Sequence, residues 1–329
     1  MSADVKFLKH RSRILPRDIP EATVSVHALS CGHFTFPEYQ FVHPVSRDAR
    51  KSVPSLAFLI QHQDPSTSRV TRIVFDLGIR RDVKRYPEPI QRHIETRQPL
   101  TTDPDVTKSL AKGGLQPSDI DYVIYSHVHW DHIGEPRDFP SSTFVVGHGV
   151  LDLLKGTSSL LRGGHSFFEH DLLPDGRTFQ LSDPEVTSAK SPHAKNNSGS
   201  IDFNKPWEAH GTLPQTLDVF GNGSLHIVDA PGHLPGHINL LARSSCGRQI
   251  YMAGDACHDR RLLTGAKSIG EWNDAHGQTC CIHADRKRAE QTIELIRALE
   301  RQGVEIIFAH DVEWESDPAN ESRFFGTCK

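Results

Sequence analysis

The 329 residues carry a formal net charge of −4, with 36% hydrophobic and 24% charged residues, the balance of an ordinary globular chain long enough to bury a sizeable core. That acidic balance offers no basic surface, so neither nucleic acid nor an anionic membrane is expected as a partner. The longest apolar runs, such as Leu56 to Ile60, have strand length and are too short to span a bilayer. Charges flank the short apolar patch near Met1, unlike an export signal, and the six cysteines lack framework spacing; a cytoplasmic protein with reduced thiols is expected.

Residues 1–22 are polar, are interrupted by Pro16 and Pro20, and are expected to form a surface arm. Residues 23–329 are expected to form one domain. Runs rich in Val, Ile, Leu and Phe predict strands at 23–29, 55–63 and 71–78, and the last leaves Asp76 at a strand terminus. A short helix follows over 106–114, closed by Gly113-Gly114. A buried strand at 121–125 then runs into a His-rich loop, and another is expected at 143–147. From about 156 to 211 the chain is rich in Gly, Ser, Pro, Asn and His without clear periodicity, so it reads as an insertion, either functional or a loose surface loop. Strands resume at 217–220, 225–229, 238–243 and 249–254. The best helix spans 286–302, with Ala289, Ile293, Ile296 and Leu299 on one face, and a strand at 304–309 ends on His310. Two blocks of strands, each followed by helical material, predict a two-layer β core covered by helices.

The chemistry concentrates in Ser126-His127-Val128-His129-Trp130-Asp131-His132. On an extended strand end, His127 and His129 point to the same side and can reach one metal ion. Asp131 and His132 follow after the chain turns and can serve a second ion. Three further donors follow strands: His233 in Pro231-Gly232-His233, Asp255 in Ala253-Gly254-Asp255, and His310 in Phe308-Ala309-His310. Seven donors exceed what one tetrahedral ion needs, so two divalent metal ions are expected; zinc suits the imidazole and carboxylate set, as do Mn, Fe and Co.

This order of His-x-His-x-Asp-His, Pro-Gly-His, Gly-Asp and a terminal His resembles the metallo-β-lactamase superfamily from about residue 23 onward. The resemblance implies an αββα sandwich of the α/β class, two packed mixed β-sheets flanked by helices. It also implies that His127, His129 and His233 hold one metal, that Asp131, His132 and His310 hold the other, and that Asp255 bridges them. His237 and Asp76 would then support the ligands by hydrogen bonds. Within the superfamily the pattern is most similar to the quorum-quenching N-acyl-homoserine lactonases, which share the hydrophobic strand at 53–59 and the ending His310-Asp311-Val312-Glu313. Those lactonases place a Tyr three residues after the bridging Asp, where this chain has His258.

The expected reaction is hydrolysis of a small cyclic ester. Two ions about 3.5–4 Å apart bring the pKa of a shared water near neutrality, and the hydroxide attacks a carbonyl. Asp131 and His258 are the expected catalytic side chains, Asp131 moving a proton to the leaving group and His258 contacting the oxyanion. The alternative is a lactamase-type enzyme opening a γ-lactam or cyclic carbamate, as in xenobiotic detoxification. A metal-dependent nuclease is a further alternative, disfavoured by the acidic charge, and a non-catalytic scaffold is disfavoured most because all seven donor positions are filled. The sequence carries no signal of oligomeric state.

Overall fold

The structure is a computed structural model, and it describes residues 22–158, 167–186 and 201–327. The expected N-terminal arm, save residue 22, lies outside the described residues, as does part of the expected 156–211 insertion.

Sixteen strands appear among the described residues: β1 (Ser25–Pro37), β2 (Val42–His43), β3 (Arg50–Gln63), β4 (Val70–Phe75), β5 (Tyr122–Ile124), β6 (Thr143–Val146), β7 (Thr178–Gln180), β8 (Glu208–His210), β9 (Leu213–Asp218), β10 (Leu225–Asp229), β11 (Ile238–Arg243), β12 (Gln249–Met252), β13 (Ser268–Ile269), β14 (Glu271–Asn273), β15 (Thr279–Cys281) and β16 (Glu305–Ile307). Twelve of them form two mixed sheets of six strands, in the orders β1-β3-β4-β5-β6-β7 and β16-β12-β11-β10-β9-β8. In the first sheet β4 to β7 run parallel, and in the second only β12 and β16 do.

The layering follows from a period of two in the buried strands. Leu56, Phe58 and Ile60 of β3 meet Leu225, Ile227, Leu240 and Met252 in the space between the sheets. Ala57 and Leu59, pointing the other way, pack with Ile90, Ile94 and Leu110 under the helices Glu88–Glu95 and Val106–Lys112. On the far side, Leu241, Tyr251 and Ile306 receive Ala289, Ile293, Ile296 and Leu299 of the helix Arg286–Arg301. The result is the expected αββα sandwich.

Three local readings differ from expectation, each for a physical reason. β1 does not stop at Leu29 but continues to Pro37 through a bulge between Ser30 and His33. Gly32 makes this feasible at φ +95°, where an added Cβ would sit 2.6 Å from the Thr101 carbonyl oxygen. The strand expected at 217–220 is β9, which ends earlier because Asp218 accepts from the backbone of Gly221 and Gly223 and turns the chain. The 156–211 stretch is not wholly an irregular loop: it supplies β7 and β8, the edge strands of the two sheets.

What this frame does for function is to gather strand ends. β4, β5, β10, β12 and β16 all present their C-terminal ends at one edge of the sandwich, and Asp76, His127–His132, His233, Asp255 and His310 follow them.

Candidate metal centre

The His-rich loop leaves β5 extended and enters the short helix Trp130–Ile133, so His127 and His129 precede the turn and Asp131 and His132 lie on it. Ser55 Oγ donates to the Asp131 carbonyl at 2.5 Å, and Tyr86 OH donates to that of Trp130 at 2.7 Å, fixing the turn. Gly232, at φ +129°, lets the His233 loop lie against the start of the helix Arg286–Arg301; a Cβ there would meet the Ala289 nitrogen at 2.2 Å.

Two donor sets result, one of His127, His129, His233 and Asp255, the other of Asp131, His132 and His310. All these side chains are buried, and within each set the donor atoms lie within 4.8 Å of one another. In the first set, His129 Nδ1 is 2.9 Å from His127 Nε2 and 3.0 Å from His233 Nε2. In the second, His310 Nε2 is 3.4 Å from Asp131 Oδ2. Asp255 divides its two oxygens between the sets: Oδ2 is 3.4 Å from His233 and 3.7 Å from His127, whereas Oδ1 is 3.2 Å from both His132 and His310.

His132 and His310 are oriented from behind. Asp76 Oδ2 accepts from His132 Nδ1 at 2.9 Å and from Ser126 Oγ at 2.7 Å, while its Oδ1 accepts from the Ser126 amide at 2.7 Å. Asp76 does this from φ +61°, a left-handed conformation that is strained for a non-glycine residue. His310 Nδ1 donates to the Pro54 carbonyl at 2.7 Å. His237 stands outside both sets; its Nδ1 donates to the Ala230 carbonyl and its Nε2 accepts from the Asp255 amide, each at 3.1 Å.

The donor arrangement fits metal ions. A tetrahedral ion with bonds of about 2.0–2.1 Å requires donors roughly 3.3 Å apart, and the separations above cluster around that value. His132 Nε2 and Asp255 Oδ1 are buried and 3.2 Å apart, yet neither makes a hydrogen bond: both aim at common space. Charge leads to the same conclusion. Burial opposes a positive His132 and His310, but Asp255 outweighs it with Asp76 at His132 and with Asp131 at His310, and the His310 imidazole is pulled up to about 10. Burial would likewise raise the Asp131 carboxyl, but His310 and His132 hold it down at about 2. The carboxylates thus demand positive charge in the second set. In the first set, burial and neighbouring imidazoles keep His127 and His233 neutral, the ligating form.

The centre opens into a cavity of about 390 Å³, lined by His129, Asp131, Asp255, His258 and His310 with Trp130. His258 is buried, with Nε2 3.0 Å from Asp255 Oδ2 and its ring against Phe41 and His283. Trp130 packs edge-on to Phe34 in the wall. Sequence reasoning missed His283, which is buried beside His233 and His258 in a third group of donor atoms. It also missed Arg97, His93 and Gln40, which line or buttress the cavity from outside any motif.

The family sequence model of the metallo-β-lactamase superfamily matches residues 53–300. The chain belongs to the metallo-β-lactamase superfamily. Among superfamily relatives, it is 29% identical over 252 residues to the γ-lactamase FDB1 of Fusarium pseudograminearum, covering 74% of this chain and 56% of that protein. It is 30% identical over 258 residues to the metallo-hydrolase mfmC of Annulohypoxylon moriforme, covering 74% and 60%. The chain therefore spans little more than half the length of these two relatives. Among solved structures, a quorum-quenching N-acyl homoserine lactone hydrolase superposes with a TM-score of 0.61 at 16% identity, covering 90% of this chain and 96% of the other. That likeness establishes the superfamily fold. Among the described residues, no helix is long and apolar enough to cross a membrane.

Proposed function

We propose that this protein is a dinuclear metal-dependent hydrolase, most simply a zinc enzyme, that opens a small cyclic ester. The observation that carries the reading is Asp255, a buried carboxylate with one oxygen turned to each donor set. In this reading His127, His129 and His233 hold one ion, Asp131, His132 and His310 the other, and Asp255 bridges. Bound there, the ions would supply Lewis acidity, lowering the pKa of a water and polarising a carbonyl oxygen.

The chain's own side chains do the rest. The buried walls around Phe34, Phe41 and Trp130 exclude bulk water from the ring being opened. Asp131 turns Oδ2 to His310 and borders the cavity, where its carboxylate can take a proton and deliver it to the leaving group. His258, also in the cavity wall, holds Asp255 Oδ2 through Nε2, and its Nδ1 makes no hydrogen bond. The imidazole carries its proton on Nε2, facing that carboxylate, so Nε2 is the nitrogen from which a second proton can be delivered. The same imidazole is the observation that favours lactam opening as a second reading, because an amide nitrogen must be protonated to leave whereas an alkoxide leaves more readily. The relative named as a γ-lactamase supports this alternative, and the fold of the lactone hydrolase supports the first. We place the reaction in the cytoplasm, on a small molecule, in one domain over 23–329.

Steady-state hydrolysis of matched lactones and lactams by the metal-loaded protein and by His258→Phe tests both readings. A lactonase should keep most lactone turnover in the variant. A lactamase should lose lactam turnover far more than lactone turnover. Failure of the metal-loaded wild-type protein to open any ring would overturn the hydrolase reading.

A further inference from the structure

The cavity beside the metal centre contains a cation that the hydrolytic chemistry does not use. Arg97 is 8% exposed and follows the helix Glu88–Glu95. Its backbone is tied to β1, with the Thr35 amide donating to the Arg97 carbonyl at 2.9 Å and the Arg97 amide donating to that of Ile94 at 2.9 Å. The guanidinium is held as firmly: Nε donates to His93 Nε2 at 3.3 Å, and Nη2 donates to Gln40 Oε1 at 3.2 Å. His93 is itself packed between Trp130 and Phe167, and burial with Arg97 beside it pulls its pKa down to about 4, so it is the neutral acceptor this arrangement needs.

Both partners of Arg97 are uncharged. Among the described residues, no carboxylate lies within ion-pair reach of Arg97, nor of Arg50, which lines the same cavity from an exposed position. Buried guanidinium groups are ordinarily paired, because leaving one without a counter-charge is costly. Burial pulls Arg97 down to about 10; Asp131 opposes this and Arg50 adds to it, the signature of a cation without its own acid. Asp131 is engaged with His310. Two cations, one preorganised and buried, therefore face a cavity of about 390 Å³ that accommodates a small ring and a short substituent.

We propose that Arg97, assisted by Arg50, is a carboxylate-binding subsite, and that the ring this enzyme opens carries an anionic substituent. The proposal rests on the hydrolase reading for its ring, and on the guanidinium geometry for its charge. Planar carboxylate matches the guanidinium fork, and the His93 and Gln40 contacts hold that fork before substrate arrives.

The test uses isosteric pairs differing only in charge: 5-oxotetrahydrofuran-2-carboxylate against its carboxamide, and 5-oxoproline against its carboxamide. With the metal-loaded full chain, the carboxylate of whichever pair is opened should have a kcat/KM about 10–100-fold higher than its carboxamide, mainly through KM, the scale of one charge-assisted hydrogen bond. In Arg97→Gln that ratio should fall to near one, and in Arg97→Lys, which keeps the charge without the fork, it should lie between. A wild-type ratio near one overturns the proposal, even if the Arg97→Gln variant fails to fold. So does a ratio that persists in Arg97→Gln, which would place the carboxylate elsewhere, or an equal loss on both members, which would make Arg97 a positioning residue alone. If no ring is opened, the hydrolase reading fails separately, and calorimetric titration with the same four compounds decides the subsite. Tighter, Arg97-dependent binding of the carboxylates upholds it, and equal binding overturns it.

Discussion

Two cavities at opposite ends of the sandwich carry histidines, and only one of them resembles a metal centre. At the C-terminal ends of β5, β10, β12 and β16, five buried histidines converge on Asp131 and Asp255. At the other end, a larger cavity of about 930 Å³ includes His62, His210 and His226. There His62 stacks on Phe220 at 3.8 Å, and His210 stacks on His226 at 4.2 Å. Among the described residues none of these three joins a group of three donor atoms. Neither the presence of histidines nor cavity volume picks out the metal centre, since the larger cavity is the other one. Buried carboxylates do: they pull in positive charge at one end, while at the other burial leaves His62 and His226 below their ordinary pKa.

The comparison breaks most sharply at Asp255. Asp255→Asn preserves the shape of the bridge and removes its charge, so kcat/KM should fall on the order of 10³-fold or more, with elemental analysis dropping from two metals per chain. His62→Gln with His226→Gln should leave the metal content unchanged; equal metal loss in both variants would erase the distinction between the ends. One layer out, Asp76→Ala removes the acceptor behind His132 and should weaken metal binding about 10–100-fold in a competitive chelator titration. An unchanged affinity would mean the strained Asp76 backbone serves folding alone. His237→Ala should cost about tenfold at most, through the Asp255 amide it holds, and much less than His233→Ala. Parity between those two variants would place His237 among the ligands.

The smallest effect belongs to the far cavity. His62 and His226 have lowered folded-state pKa values, chiefly from burial, against an unfolded value near 6.5. Below pH 6.5 the unfolded chain takes up protons that the folded chain refuses, so their contribution to stability is complete above 6.5 and is lost as pH falls through the folded values. The urea midpoint of His62→Gln/His226→Gln should therefore drop less between pH 7.5 and pH 5.5 than that of the wild-type protein. Identical drops would show that these imidazoles titrate freely in both states.

The layered fold was legible because β3 and its neighbours alternate apolar side chains with a period of two, and because the helix Arg286–Arg301 repeats its own on one face. The donor residues were legible because four of them sit within six positions, and the other three each follow a strand. The cavity wall was not. Gln40 and the pair His93 and Arg97, four residues apart at the end of one helix, come from separate segments that no sequence motif relates, and the bulge at Gly32 and the tie between Thr35 and Arg97 help to bring them together, while His283 lies behind the wall in a third segment. The short strands β7 and β8 were hidden for a different reason: three-residue edge strands carry too few alternations to register against a polar background.

Each donor set draws on both sheets: His127 and His129 with His233, and Asp131 and His132 with His310. An ion held there is therefore also a clasp between the halves of the sandwich. A chain with only one sheet formed offers fragments of either set, so tight capture has to wait until the two sheets pack together and, for the second set, until β16 docks. Once captured, the ion opposes separation of the sheets by mass action, a gain of about 2.7 kcal/mol when free metal stands at a hundred times its dissociation constant. Chelation would then lower the melting temperature as well as the rate, and heat would release metal and sheets together.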